Sequence, residues 1–144
     1  MIVERYSDKY RDDIKRVVQS FQNESLVDYW LSFDADALSK TINELKDQAF
    51  MLVMNGRCEG LLAGKKTKTP LSDDPIWHEV IWYVMPKHRK YGMALLKKAR
   101  EILKSEGFKA MIMVCMHNSK TEKLFKLYNK MGFVTMETHF IGRL

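Results

Sequence analysis

Cysteine is scarce in this sequence, and proline and glycine are few: 144 residues hold two Cys, three Pro and seven Gly. Cys58 and Cys115 lie in strand-like segments and form no metal or redox spacing, so they read as small buried side chains, with neither a disulfide nor a metal expected. No apolar run is long enough to cross a bilayer, and Met1–Arg5 is not followed by the apolar core of a signal peptide. A cytoplasmic protein is expected. Without repeats, low-complexity tracts or linkers, residues 1–144 read as one domain, and 46% hydrophobic residues suffice for a substantial core.

Positive charge is in excess and unevenly placed. The net charge is +6, yet between Val84 and Lys130 twelve Lys or Arg face three acids, a balance of +9 that leaves the rest of the chain at −3. Such a stretch suits phosphate groups, although most of its individual lysines read as solvated. Nucleic acid is not the expected partner, because aromatic and basic residues do not interleave and no helix-turn-helix spacing occurs.

Hydrophobic periodicity orders the elements. Ile2 to Tyr6 reads as a strand, followed by a helix capped by Ser7 or Asp8 with Tyr10, Ile14, Val17, Val18 and Phe21 on one face. An aromatic-rich stretch, Leu26 to Phe33, leads to Asp34, the cap of a second helix carrying Leu38, Ile42 and Leu45. Ala49 to Met54 and Arg57 to Ala63 form an antiparallel hairpin across Asn55-Gly56. Lys65 to Pro75 reads as an exposed loop before a strand from Ile76 to Met85, which Pro86 ends. A helix from about Tyr91 to Glu106 packs through Leu95, Leu96, Ala99, Ile102 and Leu103 and stops at Gly107. Ala110 to Met116 reads as a strand covered on both faces. A helix from about Lys120 to Met131 opens on the box Ser119-Lys120-Thr121-Glu122, and Val134 to Ile141 supplies a last strand.

Chemistry concentrates at Arg89-Lys90-Tyr91-Gly92-Met93-Ala94, where an apolar strand hands over to an amphipathic helix. The first turn of a helix carries N–H groups without intrahelical partners and the positive end of its dipole, which together suit a pyrophosphate. Gly92 and Ala94 allow close approach to the backbone, while Lys87, Arg89 and Lys90 add charge.

Arg89, Gly92 and Ala94 match the acyl-CoA loop of the GNAT-type N-acetyltransferases, Arg or Gln, two residues, Gly, one residue, Gly or Ala. Leu127-Tyr128-Asn129-Lys130-Met131-Gly132-Phe133 resembles a second landmark of that family, a helix running from Leu-Tyr to Gly-Phe. The motifs span Val84 to Phe133, and the order of earlier elements extends the resemblance over nearly the whole chain. It implies the acyl-CoA N-acyltransferase fold of the α/β (α+β) class: a mixed, mostly antiparallel sheet splayed at the acyl-CoA site, with helices on both faces.

The implied activity is transfer of an acetyl group from acetyl-CoA to a primary amine, on a small molecule, a peptide N-terminus or a lysine, by direct attack and without a metal. The alternative is an inactive acyl-CoA-binding or structural protein of the same fold. By resemblance, the backbone of Tyr83, Val84 and Met85 pairs with the pantetheine arm, the amides of Lys90, Tyr91, Gly92, Met93 and Ala94 beside Arg89 hold pyrophosphate, and Tyr128 faces the CoA sulfur as general acid. The base is open among Glu79, His78 and a water chain, because a one-residue bulge would exchange which of the two side chains faces the acceptor. Thr121 and Leu124 stand where the family often has Asn and Ala, so Asn118 reads as a helix cap and not as a CoA ligand. Tyr29, Trp30, Phe33, Trp77, Trp82 and His139 fall in the region implied for the acceptor, most of them as core. Asp28, Asp34 and Asp36 nearby suit a cationic amine. A homodimer through the last strands is compatible with the resemblance.

Overall fold

Asn55 and Gly56 take φ of 51° and 75°, the paired positive values of a tight hairpin turn, and set the antiparallel register on which the sheet is built. A computed structural model gives the structure and describes residues 1–25, 29, 31, 34–116 and 120–144. The strands are β1 (Ile2–Arg5), β2 (Ala49–Met54), β3 (Arg57–Thr67), β4 (Ile76–Val84) and β5 (Ala110–Ile112), in spatial order β1-β2-β3-β4-β5. The first three pairings are antiparallel and β4 with β5 is parallel. The helices are α1 (Arg11–Ser25), α2 (Ala35–Leu45), α3 (Gly92–Ser105) and α4 (Thr121–Lys130). A mixed, mostly antiparallel sheet with helices on both faces is therefore present, as expected.

Strand alternation divides the core. Met51, Val53, Leu61, Ala63, Ile81 and Tyr83 pack against Ile14, Val17 and Val18 of α1 and Ile42 and Leu45 of α2. On the opposite face Phe50, Leu52, Leu62, Trp77 and Val84 meet Leu95, Leu96, Ala99 and Leu103 of α3 and Tyr128 of α4. Asp34 caps α2, its side chain accepting from Asp36 N–H at 2.9 Å. Gly107, at φ 88°, closes α3. Cys58 is buried, its thiol pushed up to about 12 by desolvation, whereas Cys115 is half-buried; both are free.

Four expectations are corrected. β3 continues through Lys65, Lys66 and Thr67, which pair with His78, Trp77 and Ile76, so the loop begins at Lys68: cross-strand partners override a loop-like composition. The loop before α3 is a 3-10 turn, Pro86–Tyr91, and α3 proper starts at Gly92. β5 stops at Ile112, opposite His78 and just before the irregularity of β4 at Val80, and it is at most half-buried. Residues 133–144 form no strand, with Val134 87% and Phe140 94% exposed; the alternating pattern there has no neighbouring strand to pair with among the described residues. Asn118 and Ser119 of the expected cap and box lie outside the described residues. Lys120 is the residue preceding α4, without a side-chain cap bond.

Candidate active site

Where β4 loses β5, it carries an extra residue. Ala63 pairs with Ile81 and Gly64 with Glu79, so Val80 has no partner on β3. The bulge switches the faces of the strand: Trp77 lies on the α3 face, while Ile81 and Tyr83 lie on the α1 face, although their even spacing would put all three on one side of a regular strand. Gly64, across from it, makes this geometry feasible. A Cβ there would lie 2.4 Å from the His78 carbonyl oxygen and 2.6 Å from the Trp77 ring.

The same bulge separates the two candidate bases. His78 stays in the ladder, opposite Lys65 on one side and Ile112 on the other. Glu79 turns into the split between the strands, where it is 8% exposed and accepts the Val114 N–H at 2.5 Å. Desolvation raises its carboxyl from the ordinary 4.5 to about 7, against the opposing pull of the Val114 N–H. Tyr128 reaches the same residue from α4, its hydroxyl donating to the Val114 carbonyl at 3.2 Å. Burial, with further contributions from the charges of Glu79 and Cys115, holds this phenol protonated far above its usual range. Its ring is held by Trp82, with centroids 6.1 Å apart, and by Phe133 at 5.5 Å.

A cavity of about 590 Å³ opens at this split, with Glu79, Trp82, Tyr83, Val114 and Leu124 on one side and Phe21, Glu24, Asp34 and Thr41 on another. Glu24, in the last turn of α1, has no role assigned by the sequence. Its carboxylate accepts from Tyr83 Oη at 2.6 Å, Arg89 at 2.5 Å and Lys120 Nζ at 2.9 Å. Those bonds, that from Tyr83 foremost, draw it down to about 2.

At the expected acyl-CoA site the residues are brought together with three changes of detail. Met85 N–H already donates to Glu59 at 2.8 Å, toward β3, so by alternation the groups at the free edge are those of Val84 and, two residues earlier, Trp82. Arg89 folds back from the loop: it bonds Glu24, approaches the Tyr83 ring to 5.6 Å and donates through Nε to the Val84 carbonyl at 3.4 Å. Gly92 is buried, and its missing Cβ points inward, 3.7 Å from Val84 Cγ2 and 3.8 Å from Trp82. A Cβ there would make ordinary contacts with the sheet. Gly92 N–H bonds the Arg89 carbonyl within the turn.

No side chain caps α3, and Lys87 and Lys90 are exposed beside its start, with Lys90 Nζ 5.0 Å from the Tyr91 ring. Met93 and Ala94, half-buried, complete the first turn. An open strand edge leading to a basic, uncapped helix start fits an acyl-CoA arm and its phosphates. Among the described residues no cluster suits a metal ion, and no helix is long and apolar enough to cross a membrane.

Of the aromatics placed near the acceptor, Trp77 is fully buried core and Trp82 lines the cavity. His139 is exposed and paired with Glu137 at 3.1 Å, and Trp30, Phe33 and Asp28 lie outside the described residues.

The fold is shared with solved acetyltransferases. An aminoglycoside acetyltransferase from an uncultured soil metagenomic sample matches with a TM-score of 0.73 and 20% identity over 99% of this chain and 97% of that one. A ribosomal-protein-alanine N-acetyltransferase from Brucella melitensis biovar Abortus 2308 gives 0.77 and 12% identity over 99% and 98%. The aminoglycoside N-acetyltransferase AAC(6')-Iy, solved with a bisubstrate analogue of CoA and acetylneamine, gives 0.70 and 14% over 99% and 97%. No curated protein sequence matches. The Acetyltransferase (GNAT) family profile matches residues 13–133, nearly the full length over which these elements were traced, and the chain belongs to that family.

Proposed function

We propose that this acetyltransferase moves the acetyl group of acetyl-CoA to a primary amine by direct attack, with Glu79 as general base and Tyr128 as general acid. The observation that carries this reading is their shared anchor: both bond the backbone of Val114, Glu79 at its N–H and Tyr128 at its C=O, in the two peptide units that flank one residue, where β4 becomes an open edge. With its carboxyl at about 7, Glu79 suits proton removal from an ammonium near neutral pH. The protonated Tyr128 hydroxyl suits proton delivery to a leaving thiolate. The two roles are linked, since a proton taken up by Glu79 cancels the charge that helps to keep the Tyr128 proton in place. His78, held in the ladder, is not the base in this reading.

The first turn of α3, with Lys87 and Lys90, holds the CoA phosphates, and the free edge at Trp82 and Val84 aligns the arm. The acceptor enters the cavity past Asp34, a carboxylate that suits a cationic amine, and past Glu24, whose charge Arg89 and Lys120 balance. The aminoglycoside and ribosomal-protein acetyltransferases of the same fold support small-molecule amines and peptide N-termini as first choices. A test is thiol release from acetyl-CoA in the presence of aminoglycosides, polyamines and short peptides. Amine-dependent release with acetylated product is expected, and the absence of release with every amine class would refute the enzyme reading.

A further inference from the structure

Arg89 occupies the Val84 carbonyl at the free edge of β4, a group that the proposed acyl-CoA arm would need. It is held there by Glu24, 65 residues earlier in the chain. Glu24 also takes Tyr83 Oη and Lys120 Nζ, so one carboxylate ties the end of α1 to β4, to the loop and to the approach of α4. Ser20 supports the arrangement from one turn earlier in α1, 3.0 Å from Tyr83 Oη.

We propose that Glu24 is a positioning residue that parks Arg89 on the acceptor side of β4, and that binding of a CoA-type ligand requires this ion pair to part. The argument is geometric. The Arg89 backbone belongs to the turn before α3, beside Lys87 and Lys90, yet its guanidinium lies over the Tyr83 ring. Its side chain is 37% exposed and that of Glu24 36%, and its further bonds to Tyr83 Oη and the Val84 carbonyl are long, 3.4 Å each, so the pair is solvent-screened and of the weak, exchangeable kind. Release of Arg89 uncovers the Val84 carbonyl for the arm and adds a cation on the phosphate side. At the same time it leaves the Glu24 carboxylate with one cation fewer, facing the cavity. The two binding sites are thereby coupled through one side chain.

The inference rests on the acyl-CoA reading above, and its test separates the two. Binding of CoA is measured by calorimetry for the wild type, Glu24→Gln, Arg89→Gln and the double variant. Relief of the ion pair is expected to tighten CoA binding by about two- to fivefold in Glu24→Gln, while Arg89→Gln weakens it. In the Arg89→Gln background the gain from Glu24→Gln must vanish. Equal gain in both backgrounds, or no gain in either, overturns the proposal, since loss of a nearby negative charge alone would act without Arg89. A crystal structure of the wild type with CoA gives a check independent of any variant: a parted Arg89–Glu24 pair is expected, and a retained pair contradicts the idea. Failure of the wild type to bind CoA would instead refute the acyl-CoA reading itself.

Discussion

The two halves of β4 differ in what lies beside them. Ile76, Trp77 and His78 have strand partners on both sides, in β3 and β5. From Glu79 to Val84 the strand keeps β3, apart from the bulged Val80, but has lost β5, and residues Glu79 to Tyr83 line the cavity. In the paired half the His78 backbone sits between two strands and its side chain does not line the cavity. One residue later, Glu79 is buried, charged at a cost and bonded to the departing strand segment. A single inserted residue, Val80, thus converts a structural strand into a candidate catalytic wall, consistent with the tendency of bulges to re-aim side chains at sites.

The largest expected effect lies on the open half. Tyr128→Phe keeps the ring contacts with Trp82 and Phe133 but removes the proton donor, so turnover should fall by roughly 10²- to 10⁴-fold with acetyl-CoA affinity nearly unchanged. Steady-state kinetics beside calorimetry checks this, and unchanged turnover would remove Tyr128 from the chemistry. Glu79→Gln should lower turnover by roughly 10²-fold and abolish the rise of kcat/KM with pH near 7, since the base must be ionised to work. His78→Gln should leave that rise in place. If His78→Gln removed it instead, the assignment of the two halves would be reversed.

Effects on stability are smaller. Gly64→Ala drives a methyl into the His78 carbonyl and the Trp77 ring, and should cost about 1–3 kcal/mol by denaturant unfolding. Glu79→Gln tests the burial of the carboxyl. Its folded value, about 7, lies above the ordinary 4.5, so the folded wild type keeps a proton that the unfolded chain releases and loses stability as pH rises through that window. The variant should therefore gain on the wild type between pH 4.5 and 7, by about 3 kcal/mol in all, and hold that gain above. Thermal melts across pH would reveal it, and a constant difference would show that folding does not raise the Glu79 carboxyl above its unfolded value.

The sequence carried the hairpin at Asn55-Gly56, the Asp34 cap, the α3 stripe and the loop-to-helix junction in local patterns, and the structure retains each of them. It also named Glu79 and His78 together, but could not separate them, because the bulge depends on pairing with β3. The isolated Gly64 within an apolar strand was an available signal of that irregularity. Glu24 had none: its three partners lie 59, 65 and 96 residues away, and an acid near a helix end has no local signature of such a hub. The inward face of Gly92 likewise depends on Val84 and Trp82, which only the tertiary fold brings against it. Alternation from Val134 to Ile141 was readable, but a strand also needs a neighbour.

The central claim is that the free edge of β4 and the start of α3 receive acetyl-CoA. Calorimetry of the full chain with acetyl-CoA, with desulfo-CoA and ATP as controls for the arm and the nucleotide, tests it most directly. Micromolar binding of acetyl-CoA, retained in Tyr128→Phe and weakened in Gly92→Val, where a branched side chain pushes α3 from Val84 and Trp82, is the predicted result. Absence of binding by the folded wild type would contradict the account.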